Sequence, residues 1–140
     1  MFIVSNNSVV DPGTGSGGGF YTFGGWAATV SIANTFFWGN KAGSGHEIFN
    51  GYGTTSITWS DVLNNTNALH INNGSITTDA NCIEADPFFM DSGAGDYYLK
   101  SISPVIDQGT SIDAPVDDID GQARPNPVSV DIDMGADEFY

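Results

Sequence analysis

The sequence has very few basic side chains. Of its 140 residues only three are Lys or Arg, whereas 17 are Asp or Glu, and the formal net charge is −14. Affinity for phosphate groups comes from clustered Lys and Arg, so Lys41, Lys100 and Arg124 are too few and too scattered to bind nucleic acid or an anionic membrane. The same charge repels anionic polysaccharides unless metal ions bridge the two.

Cysteine and long apolar runs are also scarce. Cys82 is alone, which excludes an intrachain disulfide and favours a buried, inert thiol. No apolar stretch approaches the ~20 residues of a membrane-spanning helix, so we expect no membrane insertion. No signal peptide is visible, because Met1 is followed at once by the strand-like FIVSNN. We therefore expect a fragment or a reduced form of a longer protein.

Helical periodicity is missing as well, since Gly, Asn, Thr and Asp interrupt every candidate helix. Short runs rich in β-branched and aromatic residues, separated by turn residues, predict an all-β fold instead. The predicted strands are 2–6, 18–23, 28–38, 46–52, 56–62 and 68–71, with further candidates at 82–85, 97–100 and 129–132.

Short runs of sequence resemble one another along the chain. SIANT at 31–35 aligns with SITWS at 56–60, and VSNN at 4–7 aligns with IANT at 32–35. Repeat periods of roughly 20–50 residues without helices favour a β-solenoid, in which successive coils stack as parallel strands. Asn6 and Asn34 then have a structural role, because Asn tolerates the left-handed backbone of a sharp corner and its amide can bond to its copy in the next coil.

Four motifs follow one another in the second half of the chain. They are EADPFF at 84–89, DYYLKSISPVID at 96–107, DIDGQARP at 118–125 and DMGADE at 133–138. This series resembles the C-terminal end of bacterial right-handed parallel β-helix proteins of the pectate-lyase-like superfamily, with a "choice-of-anchor Q" type ending. The resemblance implies a coil of three parallel sheets and an extracellular or cell-surface location. It does not decide among lyases, glycosidases and adhesins.

The fold expected from these observations is a short right-handed single-stranded parallel β-helix. About four coils would occupy residues 1–100, followed by an irregular acidic cap over 101–140. Members of the family are usually longer, so the first coil should be uncapped. An open end of a parallel sheet offers unpaired N–H and C=O groups to another chain, and we therefore expect self-association through the N-terminal coil.

Candidate site residues on the strands are Trp59 and a group of acids. Trp59 could stack on a sugar beside Asp61, although its parity with Ile57 also fits a place in the core. Glycoside hydrolysis needs two carboxylates across the scissile bond, and Asp61, Glu84 and Asp86 are the candidates, although Asp86 also fits a turn. His46 and His70 are separated by close to one coil, and with Glu47 they would form a minimal metal site.

The closing segment 103–140 holds nine of the acidic side chains but only one basic residue, Arg124. Asp117, Asp118 and Asp120 could bind calcium, because calcium takes several carboxylate and carbonyl oxygens at close spacing. The alternative is that these short side chains accept hydrogen bonds from backbone N–H groups in successive turns. The family's recurrent Arg matches Arg124, which the resemblance implies pairs with carboxylates of the closing segment and caps the solenoid.

The function that these observations favour is non-enzymatic. We expect a surface-type β-helix module with a structural, adhesive or glycan-binding role, without a cofactor other than candidate calcium. The alternative is a carbohydrate-active enzyme, a glycoside hydrolase or polysaccharide lyase. The first is favoured because a lyase needs a basic catalytic group, whereas Lys41 and Arg124 lie outside the predicted strands and Lys100 lies only at the end of a candidate one.

Overall fold

Regular structure in the described residues is β, apart from one short 3-10 helix. The computed structural model of the protein describes residues 2–5, 15–23, 28–63 and 68–140. Its elements are β1 (Phe2–Ser5), β2 (Phe20–Thr22), β3 (Thr29–Ala33), β4 (Thr35–Trp38), β5 (Ile48–Thr58), β6 (Asp61–Val62), β7 (Leu69–Thr78), β8 (Phe89–Asp91), the 3-10 helix (Ser92–Ala94) and β9 (Asp96–Leu99).

Strands β1 to β7, called the strand stack below, form two parallel sheets. In the first sheet β4 pairs with β1 and β6, and Ile83 extends it by a bridge to Asp61. In the second sheet β7 runs along β5, which pairs elsewhere with β2 and β3. Because β7 occupies one edge of β5 over most of its length, β2 and β3 share the other edge. The prediction of an all-β chain with parallel sheets is confirmed.

The register of β3 and β5 follows the sequence repeat. Ser31 pairs with Ser56 and Ile32 with Ile57, so the identical residues of the two runs lie side by side. Alternation fits this arrangement, because Ile32 packs in the core while Ser31 is exposed. The second predicted alignment is wrong, since β1 places Val4 opposite Phe37 instead of Ile32. The sequence separation of paired residues is larger between β1 and β4 than between β3 and β5, so one offset does not fit both pairs of strands.

Two apolar cores lie on opposite faces of the first sheet. Phe37 and Val62 pack with Ile48 and Ile57 between the two parallel sheets. Phe36, the preceding residue in β4, points the other way and packs with the hairpin of β8 and β9 and with residues 101–140, called the tail below. That second core contains Phe89, Leu99, Val105 and Met134. The first sheet is therefore covered on both faces.

The tail contains no strand. Bends and turns follow one another from residue 101 to 140, with a single bridge between Asp117 and Ala123. The strand predicted at 129–132 is therefore wrong, and 82–85 contributes only the bridge at Ile83. In the antiparallel β8–β9 hairpin only the second strand was predicted, at 97–100. The tail contacts the outer face of β4, and none of its residues pairs with the outer edge of β7.

Candidate functional site

A groove of about 370 Å³, called the Trp59 groove, lies between the outer side of the strand stack and the tail. Ser31, Ser56 and Thr58 line its floor, and these side chains alternate with the core residues of β3 and β5. The tail forms the other wall with Thr110, Ile112 and Asp113. The groove thus combines an indole ring, several hydroxyl groups and one exposed carboxylate.

Trp59 lies at a corner of the backbone, where a bulky residue is unusual. Its φ is 46°, and Asn34, at the equivalent corner of the preceding pass, has a φ of 50°. Left-handed backbone is uncommon for large side chains and is tolerated by Asn. The predicted sharing of one strand face by Trp59 and Asp61 is wrong, because β5 ends at Thr58 and the corner interrupts the alternation.

Asn34 joins the strand stack to the tail. Its amide nitrogen donates to the Thr110 carbonyl at 2.8 Å, and its Oδ1 accepts the Thr110 N–H at 2.8 Å. The expected ladder of asparagines along the stack is therefore absent at Asn34, because Trp59 holds the equivalent place in the next pass and the amide turns to the tail. Asn6 lies outside the described residues.

The candidate catalytic acids do not form an accessible pair. Asp61 is wholly buried, and its Oδ1 accepts the Ala85 N–H at 3.1 Å while Oδ2 has no hydrogen-bond partner among the described residues. Burial raises the pKa of Asp61 to about 7; the bond from Ala85 opposes the rise, and the carboxylates of Asp86 and Glu84 add to it. Glu84 and Asp86 are exposed. A glycosidase needs both carboxyl groups against the substrate, which the wholly buried Asp61 does not provide.

The register of β5 and β7 does not pair the two histidines. His70 lies opposite Phe49, and their rings stack at 4.8 Å between centroids. The predicted pair of His46 and His70 is wrong because the register of β5 and β7 gives His70 a different neighbour. Glu47 is buried elsewhere, where it accepts the Asn40 N–H at 3.1 Å. Burial raises the pKa of Glu47, and its hydrogen bonds from Asn40 oppose the rise.

The candidate calcium ligands are engaged with the protein itself. Asp118 accepts the N–H groups of Asp120 and Gln122 at 2.9 and 2.8 Å and that of Glu138 at 3.3 Å. Asp120 accepts the hydroxyl of Tyr98 at 2.6 Å, and Asp117 is exposed. Within the described part of the chain, no group of three or more His, Cys, Asp or Glu side chains is placed to hold a metal ion. Calcium binding by this segment stays a prediction.

Arg124 lies inside the tail, with its guanidinium wholly buried. Its Nε is 3.8 Å from Oε2 of Glu138, and one of its terminal nitrogens donates to the Gly135 carbonyl at 3.2 Å. Burial lowers the pKa of Arg124, and the negative charge of Glu138 opposes that effect. Glu138 also accepts the N–H groups of Asn126 and Asp133 at 3.0 and 3.1 Å. The pair therefore ties several turns of the tail together.

A second cavity, called the tail pocket, has a volume of about 420 Å³ and lies between the hairpin and the end of the tail. Tyr98 and Asp96 line it from β9, and Gln122, Asp137 and Tyr140 line it from the tail. Burial raises the pKa of Asp137 to about 6, with a contribution from the negative charges of Asp118 and Asp120. From the sequence, Asp137 is only one of nine acids in the closing segment, and nothing in its spacing predicts a cavity.

Cys82 is half-buried, and its thiol donates to the Ile57 carbonyl at 3.4 Å. Burial raises the pKa of this thiol, which lowers the fraction of reactive thiolate near neutral pH. Among the described residues, no helix is long and apolar enough to span a membrane.

Comparison with protein-family models, with curated proteins and with solved structures finds no significant match to this chain. The resemblance to pectate-lyase-like β-helix proteins therefore stays a prediction from the motifs quoted above.

Proposed function

We propose that this protein is a non-enzymatic, surface-type module of right-handed parallel β-helix architecture that binds a neutral glycan in the Trp59 groove. The observation that carries the proposal is the composition of that groove. An aromatic ring with nearby hydroxyl groups and one carboxylate suits a sugar, since the ring stacks on C–H groups and the polar groups bond its hydroxyls.

The β-helix architecture is supported by the register of the strands. Each described pass of the chain adds one strand to the first sheet and then either two short strands, β2 and β3, or one long strand to the second, always in parallel. The left-handed corner recurs between the two sheets at Asn34 and Trp59. Recurring corners with parallel neighbours are typical of β-solenoids.

The choice of a neutral glycan follows from charge. The net charge of −14 disfavours uronic acid polymers, and Asp113 adds an exposed carboxylate at the groove itself. Glycan binding is favoured over hydrolysis because Asp61, the central candidate acid, has no exposed surface.

Trp59→Asn tests the proposal directly, because Asn occupies the equivalent corner at position 34 and keeps the left-handed turn while removing the ring. On an array of neutral and uronic oligosaccharides, we expect the native protein to retain neutral ones and the variant to lose at least about tenfold in affinity, as for loss of one stacking contact. Trp38→Asn makes the same chemical change in β4, away from the groove, and should bind normally. Absence of binding to all neutral glycans, or equal binding by both variants, would contradict the proposal.

We also propose that copies of the chain stack end to end. Among described strands, nothing pairs with the outer edge of β7, or with the edges of β2 and β3 that face away from β5. A cavity of about 450 Å³ lies between β3 and residues 112–114 of the tail and reaches the core residues Phe20, Ile32 and Phe37, so among the described residues this end of the core is incompletely covered. The β7 edge of one copy has the pairing geometry that β2 and β3 accept from β5, and their union buries both edges.

Aromatic rings favour the same arrangement. Tyr21 stacks on Phe49 at 5.1 Å and Phe49 on His70 at 4.8 Å, and both end members are exposed. End-to-end stacking brings His70 of one copy to Tyr21 of the next and lengthens the ladder.

Thr78→Lys distinguishes end-to-end stacking through the β7 edge from nonspecific association. Thr78 is opposite the inward-facing Ile57, so a lysine there places an inward-pointing charge on the edge strand, which blocks strand addition. Thr54→Lys adds the same charge to an exposed place in the middle strand β5. Sedimentation velocity at micromolar concentration should give oligomers for the native protein and the Thr54 variant and monomers for the Thr78 variant. A monomeric native protein would rule out the stacking.

A further inference from the structure

The tail pocket differs from the Trp59 groove in chemistry and in place. Its wall carries the carboxylates of Asp96 and Asp137 and the phenol rings of Tyr98 and Tyr140, and no basic side chain lines it among the described residues. Lining residues of the two cavities do not overlap.

One carboxylate oxygen of Asp137, Oδ1, has no hydrogen-bond donor among the described residues. Asp137 is only 7% exposed, and this oxygen is buried. Neighbouring buried acids are satisfied: Asp133 accepts the N–H groups of Asp107 and Phe139, both at 2.7 Å, and Glu138 accepts two others. A buried carboxylate oxygen without a donor is costly, so a bound group that donates to the Asp137 carboxylate would be stabilising.

Both tyrosines of the pocket are held in place by their hydroxyl groups. Tyr98 donates to Oδ2 of Asp120 at 2.6 Å, and Tyr140 donates to the Ala123 carbonyl at 2.7 Å. Their rings are therefore oriented without a ligand. Electron-rich phenol faces attract organic cations, which strengthens the attraction exerted by the carboxylates.

We propose that the tail pocket binds a primary ammonium group carried by a sugar ring, that is, an amino sugar with a free amine. The ammonium group has three donors and suits Asp137, with Asp96 on the wall that β9 forms. Tyr98, Tyr140 and the amide of Gln122 offer the aromatic and hydrogen-bonding surface that a sugar ring uses. A metal ion fits less well, since no three acidic or histidine side chains converge within the described residues.

The matched ligands are glucosamine, N-acetylglucosamine and glucose, which share a ring and differ in the charged amine. Two-dimensional amide NMR titration at pH 6.5 should show saturable shifts with glucosamine at residues 96–98, 122 and 137–140, and shifts at least about tenfold weaker in affinity with the two neutral sugars, as for loss of one charge-assisted contact. Equal affinity for glucosamine and N-acetylglucosamine, or shifts only around Trp59, would overturn the proposal.

Two variants and two further titrations complete the test. Asp137→Asn keeps the shape and should reduce glucosamine affinity at least about tenfold, whereas Asp131→Asn removes one charge at an exposed place outside the pocket and should bind as the native protein does. If Asp137→Asn does not fold, Gln122→Ala serves instead, because Gln122 is exposed, with a smaller expected loss. Ethylammonium should bind more weakly than glucosamine. Binding of Ca²⁺ at these residues without binding of glucosamine would instead show a metal site.

Discussion

In the strand stack, successive passes put the same side chain in the same place, as with Ile32 and Ile57, whereas tail residues have no such counterparts. The stack carries few charges and relies on stacked apolar side chains. The tail has no strands and relies on carboxylates that accept backbone N–H groups and on a second small core against Phe36. A regular and an irregular region can therefore share one sheet, provided that each face of the sheet has its own core.

The substitution with the largest expected effect tests whether the strand stack and the tail unfold independently. Phe36→Ala removes one ring from the second core and leaves the side chains of the first core unchanged. We expect a loss of about 3–5 kcal/mol in the free energy of unfolding. Amide hydrogen exchange should speed up in the tail much more than in β5. Phe23→Ala, at a ring that is 68% exposed, is the control and should change little. Equal acceleration in both regions would mean that stack and tail unfold together.

Asp61, which is paired with Phe36 in the first sheet, should make stability depend on pH. Its pKa is raised from 3.8 to about 7, so the native state holds a proton that the unfolded state has released across this interval. Stability from this group is therefore complete below about pH 4 and lost as the pH rises to about 7, by at most about 4 kcal/mol.

Asp61→Asn should remove this part of the pH dependence and make the protein more stable than the native form at pH 8. Urea unfolding from pH 4 to 8 measures the difference between the two proteins, and Asp131→Asn, at an exposed acid, should leave the native profile unchanged. If the free energies of unfolding of the native protein and of Asp61→Asn change in parallel with pH, Asp61 is ionised in the folded state at little cost.

Within the tail, Glu138→Gln tests the reliance on carboxylates. The substitution removes the charge that lies beside Arg124 and weakens the acceptor of two backbone N–H groups, so we expect a loss of about 2–3 kcal/mol. Glu84→Gln is the matched control at an exposed acid. Thermal melting distinguishes them, and equal melting temperatures would mean that the buried pair contributes nothing.

The smallest effect is expected on the outer face of the stack. Ser56→Ala should change the free energy of unfolding by less than about 0.5 kcal/mol, because Ser56 is a half-exposed side chain on the face away from the core. Ile57→Ala, the next residue, should cost about 2–5 kcal/mol because its side chain is wholly buried. Chemical denaturation of both variants would sharpen the comparison, and similar losses would contradict the assigned alternation.

The periodic part of the fold could be predicted from the sequence, and the aperiodic part could not. Identical residues at 31 and 56 predicted a register that the structure contains, because parallel strands place like beside like. The second core was not predicted, since Phe36 and Met134 stand near opposite ends of the chain and no pattern links them. The second half of β7 was missed because NNGSITT is typical of a turn, although backbone pairing with β5 holds it extended.

The candidate sites followed the same division. Trp59 could be selected from its residue type alone, and the repeat alignment already put it level with Asn34. The tail pocket could not be found, because its shape depends on where the irregular tail meets β9. Likewise, the burial of Asp61, which pairs with Phe36 and accepts the N–H of Ala85, is not reported by strand periodicity.

The two hydrogen bonds between Asn34 and Thr110 span 76 residues of sequence. During synthesis, β3 to β7 can pair as they emerge, but the cover that the β8–β9 hairpin gives Phe36 is completed only when Val105 and Met134 have been made. Contacts of such high sequence separation form slowly, and exposed apolar surface in the interval favours aggregation. The tail thus completes the second core only after the strand stack has been made, and premature termination after β9 should yield an aggregating product.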